Sequence, residues 1–592
     1  MKKYNFLSFI TIPLSKAPLY ALLLVAEKIV SAVLPSLMVL ASAGFIDRAI
    51  GIATKTDAKN DIVLYLCFII LILIYQYIYS VFNEIVAQKL SIKLSLTFQE
   101  DLNYKRSKLL YAVIENNDAW DIISRACNNP SGRIISGFNH VMDIIHTSVL
   151  FGSLLMISMR YVWWVGIVII ICGIPLFILA YKAGKQNYDA ERKVTNLQRR
   201  ANYFSGVLSG RGFIEERATF NYEETINLQW YEKYEQARKI SMKVQLKNFF
   251  RMKGTSLTIV GVNIILILSL LPAVSQQIMT IGIFMGLVIG FFNLVDTMSW
   301  RLPSIMSQMA NNKEYLIDLN KFYLLDEQEG ATDIPSKLND FKYESIIFDN
   351  VSFKYPNTDN YILENCSFKL MNGLHYAFVG VNGAGKTTIV KLLTRLYENY
   401  EGVILINDKD IRLYSLAEIK GIFSVVYQDF SKYYFTIKEN IKLGNILSDD
   451  ENAIIEAVNK VNLDKKIFEL YQGLDASLGK LEDDGIELSG GEWQRIAIAR
   501  SLYSQAAIHI LDEPTASLDP IAEAKIYSMF KEISIGLSTI IITHRLGAAR
   551  LADEILVLNN GAIEEKGTHD NLMSKKGLYC NMYESQKGLY NV

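Results

Sequence analysis

Six long apolar runs between Ala17 and Ser299 constrain this 592-residue chain more than any other feature. They lie near residues 17–45, 62–82, 135–159, 162–181, 256–274 and 279–299. Each suits a helix crossing a bilayer, where no water is present to satisfy open backbone groups. The first run also imitates a secretory signal, with Lys2 and Lys3 before it and Ala41-Ser42-Ala43 as a cleavage site. It is far too long for a signal's apolar region and contains Glu27-Lys28, so a retained first span is expected. The links between runs alternate in size. Arg160-Tyr161 nearly suffices to join spans three and four, and Ser275 to Ile278 joins five and six. Long, charged, helix-favouring links separate two from three and four from five, and carry Lys89, Lys93, Lys105, Arg192, Arg199 and Arg238. By the positive-inside tendency these links face the cytoplasm together with both termini. Helices of that length exceed what a bilayer needs, so they are expected to reach toward a further domain.

Length points the same way, since 592 residues exceed one ordinary core. A polar junction, residues 326–345, carries Glu327, Gly330 and Pro335 and reads as a linker. It divides a membrane domain, 1–325, from a domain of soluble character, 346–592. The net charge of −1 supplies no basic field, which argues against nucleic acid as a partner. Five scattered cysteines without metal-ligand spacing read as reduced thiols.

The second domain contains Gly380-Val381-Asn382-Gly383-Ala384-Gly385-Lys386-Thr387-Thr388, between an apolar strand-like run and a helix-like run. This G-x-x-x-x-G-K-T pattern in that context predicts a phosphate-binding loop. Its glycines let backbone N–H groups converge on phosphate oxygens, and the following helix adds the positive end of its dipole. Lys386 is expected against the β- and γ-phosphates, and the Thr387 hydroxyl on Mg²⁺. Upstream, Tyr355 ends an alternating strand pattern that begins at Ile346 and is a candidate platform for an adenine ring. Downstream, Leu488-Ser489-Gly490-Gly491-Glu492 precedes a helix-like run, and Ile508 to Leu511 forms an apolar strand ending in Asp512-Glu513.

Together these motifs resemble the ATP-binding-cassette (ABC) transporters, in the six-span exporter arrangement with membrane and nucleotide domains fused. The resemblance covers essentially the whole chain. It implies an all-α six-helix membrane domain followed by an α/β P-loop ATPase domain with an α-helical subdomain. Within the family the chain looks most like bacterial exporters of lanthionine-containing or other bacteriocin-type peptides, on residues 114–121, Gln428-Asp429-Phe430 and Gly490 to Gln494. A multidrug or lipid exporter shares the same machinery and is the chief alternative.

The resemblance implies roles for particular residues. Asp512 would orient Mg²⁺, and Glu513 would polarise the attacking water. Gln428 would reach metal and water, and His544 the γ-phosphate. Ser489, Gly490, Gly491 and Asp519 would close over the ATP of a second copy, which implies a homodimer with two composite sites. Short coupling helices are expected at Glu115–Asp121 and near Glu216–Tyr222, with the aromatics from Tyr427 to Phe435 as a receiving groove. His509 is expected to be packing only. Two departures stand out: Glu492 replaces the family's usual glutamine, which is expected to be tolerated, and Asp483 stands in for a glutamate. The localisation implied is a bacterial plasma membrane, crossed several times. The cargo implied is a peptide or amphipathic small molecule moved by ATP hydrolysis. Ionisable residues inside spans are costly unless they face a cavity or a partner. Glu27, Asp143 and Asp296 are therefore expected either to pair with neighbouring helices and hold the bundle together, or to line an acidic inner cavity for a cationic peptide, with His140 and His146 nearby.

Overall fold

The computed structural model describes residues 4–54, 60–164, 193–195, 197–297, 301–336, 343–463, 471–480, 484–513 and 538–590, with isolated residues at 167, 178, 182, 186, 190 and 467. They form two compact units: 1–106 with 118–325, and 107–117 with 326–592.

The first unit is helical among the described residues. Helix α1 (Ser8–Lys16) stops at Ala17, and α2 (Pro18–Ala53) starts at Pro18. The break is local chemistry: proline has no N–H to donate back into α1 and disfavours helical geometry in the residue before it. Thirty-six residues make α2 about 54 Å long at the α-helical rise, well beyond one hydrocarbon core. Helix α3 (Asn60–Ser107) is next, then α4 (Tyr111–Glu115), which belongs to the second unit, and α5 (Asn117–Cys127). Helix α6 (Pro130–Tyr161) is capped by Asn129, whose side chain accepts from the Gly132 N–H ahead of a proline at the first helical position. After α7 (Ile214–Phe220) come α8 (Glu223–Ser275), α9 (Ile281–Asp296) and α10 (Leu302–Tyr323).

Among the described residues α2, residues 62–107 of α3, and α6 are long and apolar enough to cross a membrane. The fifth and sixth predicted runs fall on α8 and α9. The fourth, 162–181, lies mostly outside the described residues. Packing between α2 and α9 depends on small residues. A Cβ on Gly282 would sit 2.0 Å from the Ala43 carbonyl oxygen, so only glycine permits this approach. Asp47 adds a carboxylate that accepts from the Gly282 N–H at 2.8 Å, at the start of α9.

At Asp143 the structure shows pairing and not a free acidic lining. Its carboxylate is 3.0 Å from Lys28 Nζ and 3.2 Å from an Arg301 guanidinium nitrogen. Two cations therefore already neutralise it, because an unpaired charge among apolar helices is too costly. Glu27 differs: both of its carboxylate oxygens are buried and lack a hydrogen-bond partner. The Asp296 side chain lies outside the described residues.

The second unit has two sheets. Strands β1 (Ser345–Phe353), β2 (Leu363–Met371), β4 (Glu401–Ile406) and β5 (Lys409–Asp410) form an antiparallel sheet in the order β2-β1-β4-β5. The larger sheet runs β10-β9-β3-β8-β7-β6, from β3 (His375–Gly380), β6 (Phe423–Val426), β7 (Ile508–Asp512), β8 (Ser538–Ile542), β9 (Glu554–Asn559) and β10 (Ala562–Gly567). All its pairings are parallel except β9–β10. Strands β7 and β8 are buried throughout, as central strands of a doubly covered parallel sheet are, although each carries two polar residues, His509 and Asp512 in β7 and Ser538 and Thr539 in β8. Helix α11 (Lys386–Leu393) packs its Ile389, Val390, Leu392 and Leu393 into the core between the sheets.

A smaller helical cluster gathers around the buried Trp493. It contains α13 (Ile437–Lys442), α14 (Glu451–Lys460) and α15 (Gly490–Tyr503), while α12 (Leu416–Ile422) leads into β6. The architecture is the expected one: an all-α part, then an α/β part with a helical subdomain. The polar junction does not hang free of the second unit. The Gln328 N–H donates to Lys108 O at 2.7 Å, and Lys420 donates to the Ala331 and Asp333 carbonyls.

Candidate nucleotide site

Parallel pairing decides where the site lies. In register, Phe378 of β3 and Asp512 of β7 both stand beside Ile542 of β8, and Val426 of β6 stands beside Leu511. The carboxyl ends of four strands therefore meet at one edge, the usual ligand edge of such sheets. The chain leaving each strand enters the same space, bringing in the loop after Gly380, Gln428, Glu513 and His544. A cavity of about 410 Å³ opens there, lined by Tyr355, Ile362, Asn382, Gly383, Gly385, Lys386, Thr387, Thr388, Gln428 and Glu513.

The loop geometry depends on its glycines. Gly385 caps α11 with φ +102, and a Cβ there would meet Leu363 Cδ2 at 2.7 Å. A side chain is thus excluded both by backbone conformation and by contact. Ala384 is buried in the core, and neither it nor Gly380 lines the cavity. Lys386 is only 6 % exposed and donates to the carbonyls of Gly380 and Val381 at 3.0 and 3.1 Å. Burial lowers its affinity for the proton, opposed by the nearby Glu513 and Asp512 carboxylates. Its ammonium is held among the loop's backbone groups, where an anion can replace those carbonyls as partner.

Thr387 Oγ1 donates to Asp512 Oδ1 at 3.3 Å. Burial pushes the Asp512 carboxyl up to about 6, against the lowering effect of the Thr387 hydrogen bond. Glu513 comes next with φ +45, a left-handed conformation rare outside glycine, while its N–H still donates to Ile542 O at 2.9 Å. Strain of this kind clusters where a side chain must be aimed. His544 Nδ1 lies 3.2 Å from Glu513 Oε2. The Thr387 hydroxyl and the Gln428 side chain line the cavity, and the buried Asp512 carboxylate sits behind Thr387. Oxygen donors of these kinds suit a hard cation such as Mg²⁺, which takes few protein ligands and completes its shell with phosphate and water. Among the described residues no cluster of three His, Cys, Asp or Glu side chains could hold a metal unaided.

Tyr355 lines the cavity, with its hydroxyl 3.0 Å from Thr388 Oγ1 and one ring face toward Lys391 Nζ, 5.2 Å from the centroid. No motif singles out Lys391, although its position four residues after Thr387 puts both on one helix face. Ser489, Gly490 and Gly491 are not among the lining residues and form the N-terminus of α15. There the Glu492 carboxylate accepts from the Ser489 N–H at 2.8 Å, while Ser489 Oγ accepts from the Glu492 N–H. Glu492 thus completes a reciprocal cap, which either Glu or Gln can form. His509 is buried and within hydrogen-bond distance of Ser501 Oγ, at 3.1 Å. Asp483 and Asp519 lie outside the described residues.

A strand–loop–helix phosphate cradle beside converging carboxylates, on a chain with long apolar helices, defines an ATP-binding membrane protein. The comparisons agree. The family model described as ABC transporter matches residues 363–516. The subtilin transport ATP-binding protein SpaT of Bacillus subtilis is 32 % identical over 526 residues, 86 % of this chain and 83 % of that one. The nisin transport ATP-binding protein NisT of Lactococcus lactis subsp. lactis is 27 % identical, over 88 % and 87 %. The ATP-dependent lipid A-core flippase of Coxiella burnetii is 40 % identical over 41 % of each chain. The structure of a bacterial Atm1-family ABC exporter with ATP bound superposes with a TM-score of 0.73 at 22 % identity, covering 95 % of this chain and 99 % of that one. The chain belongs to the ABC transporters, with membrane and ATP-binding domains fused in one polypeptide, and it shares the exporter fold. Its ATP-binding domain makes it an ATP hydrolase coupled to transport.

Proposed function

We propose that this chain exports a peptide of the bacteriocin or lantibiotic class across a bacterial plasma membrane, as a homodimer with cytoplasmic termini and nucleotide domains. The observation that carries the cargo reading is the extent of likeness. The two relatives named for subtilin and nisin transport match more than four-fifths of this chain, whereas the lipid flippase matches 41 %. Cargo is handled by membrane helices, so likeness that includes them bears on cargo more than likeness of the ATPase alone.

Within the nucleotide site, Lys386 neutralises phosphate charge and the loop N–H groups cradle it. Mg²⁺ bound with the phosphates would be held by Thr387, Asp512 and Gln428, and would offset charge developing on the transferred phosphoryl group. Glu513 polarises the attacking water and His544 orients it with the γ-phosphate. Ser489, Gly490, Gly491 and Asp519 of the second copy close the site. The capped geometry supports this for Ser489, because accepting from Glu492 leaves its hydroxyl proton free to donate. Closure of the pair moves the segments 115–121 and 216–222 and switches the spans between inward- and outward-facing states. Of the acids considered for the cargo path, Glu27 is, among the described residues, the one whose carboxylate has no hydrogen-bond partner and could meet a cationic peptide.

The test is transport in proteoliposomes with outward-facing nucleotide domains, supplied with a cationic amphipathic peptide or a fluorescent lipid. ATP-dependent uptake of peptide into the lumen, reduced by Glu27→Gln, is expected. Lipid movement without peptide transport would overturn the cargo reading in favour of a lipid exporter.

A further inference from the structure

Lys391 is a half-buried cation on α11 that the phosphate site itself does not use. Its side chain is 17 % exposed and its ammonium lies 3.0 Å from Glu115 Oε1. Three tyrosine rings surround it, with centroids at 5.2 Å for Tyr355, 5.2 Å for Tyr111 and 5.8 Å for Tyr397. The Tyr397 hydroxyl donates to the other Glu115 oxygen, and Tyr111 and Tyr355 each meet Tyr397 edge-on. Tyr111 and Glu115 belong to α4, within the second unit; Tyr355 is a wall of the ATP cavity.

The cluster joins a cation, a carboxylate and three π-faces. Burial lowers the proton affinity of Lys391, but the Glu115 hydrogen bond and the neighbouring tyrosines and Glu115 charge outweigh it and raise that affinity overall. Burial likewise disfavours the Glu115 anion, and the hydrogen bonds from Tyr397, Tyr111 and Lys391 more than reverse that. A charged Lys391 attracts the negative face of the Tyr355 ring, and the Thr388 contact fixes the far end of the same ring. With one face held by a cation, the ring is pinned in place to offer its other surroundings to a nucleotide base.

We propose that Lys391 is a positioning residue for nucleotide recognition, holding Tyr355 at the cavity wall and tying that ring through Glu115 to the segment 107–117. This rests on the reading of Tyr355 as the base platform. It adds that base binding and the anchoring of segment 107–117 are one linked equilibrium, so each must alter the other by the same factor. Segment 107–117 directly continues α3, so the tie would report an occupied cavity to the chain that enters the membrane domain.

The experiment compares binding of ATP with that of inorganic tripolyphosphate, which has no base, to the full-length protein in detergent. Lys391→Met should weaken ATP binding on the order of 2- to 10-fold while leaving tripolyphosphate binding unchanged. Lys391→Arg, which keeps the cation, should restore ATP binding. Glu115→Gln, farther from the cavity, should weaken ATP binding in the same selective way. Its effect should shrink in a Tyr355→Leu background, where the ring is gone. Equal weakening of both ligands by Lys391→Met would reveal a general defect of α11 and overturn the proposal, as would unaltered ATP binding. Should Lys391→Met fail to fold, an additive Glu115→Gln and Tyr355→Leu pair would overturn it independently. A Tyr355→Leu protein with an unchanged ratio of the two affinities would instead overturn the base-platform reading itself, and the inference with it.

Discussion

His544 Nδ1 stands 3.2 Å from Glu513 Oε2, although about 30 residues separate them and each comes after a different strand of the same sheet. That pairing holds the carboxylate at the mouth of the phosphate cavity. In Glu513→Gln the cradle of Lys386 and backbone N–H groups is intact, so ATP binding should persist. Hydrolysis should fall by about 10²- to 10⁴-fold, the usual contribution of a positioned base. Phosphate release at saturating ATP, beside a nucleotide-binding titration, checks both halves.

The composite-site reading makes a separate prediction. Chains with Lys386→Ala lose the cradle and chains with Ser489→Arg lose the closing helix end, so neither homodimer should turn over. Mixed dimers contain one site free of both changes. Partial recovery of ATPase activity on mixing is therefore expected, and full activity in a monomeric fraction would contradict a shared site.

Glu492 gives a prediction of small effect. Glutamine at this position can accept from the Ser489 N–H through its carbonyl oxygen, so Glu492→Gln should leave turnover within a few-fold of the parent, on the order of 3-fold or less. Glu492→Ala removes half of the reciprocal cap and should cost about 1 kcal/mol of stability. Thermal unfolding and ATPase assays on the two variants distinguish capping from nucleotide contact.

Burial pushes the His509 imidazole down to about 4, whereas an unfolded histidine titrates near 6.5. Between these values the unfolded state binds more protons than the folded one. Stability therefore rises with pH in that window: the contribution is complete above about 6.5 and lost as pH falls toward 4. The loss amounts to about 3 kcal/mol at most. His509→Leu should flatten this slope, because Ser501 keeps Ser424 as a partner at 2.9 Å. Unfolding of the nucleotide domain measured from pH 7 to pH 4.5 checks it.

Much of the nucleotide domain was legible from order along the chain. A G-x-x-x-x-G-K-T loop works through consecutive residues, so Gly385, Lys386 and Thr387 were identifiable without knowing any distant neighbour. The apolar runs on α2, α3 and α6 were equally plain, because crossing a membrane is a demand on length and composition. Glu492 is legible as a departure, and the S-x-x-E spacing from Ser489 is what encodes its reciprocal bond.

The partners of Asp143 are not encoded locally. Its sequence neighbourhood gives no sign that Lys28, 115 residues earlier, and Arg301, 158 residues later, would converge on it. Nor did any local pattern join Glu115 to Lys391, or Asp47 to the N–H of Gly282. By itself the sequence determined the local elements: where helices start and stop, where phosphate can be cradled, and which strands are buried. Only tertiary structure decided which charges neutralise one another and which side chains share a cavity. The reason is that backbone geometry and burial periodicity act over a few residues, whereas an ion pair needs only that two groups meet within about 4 Å, wherever the chain has placed them.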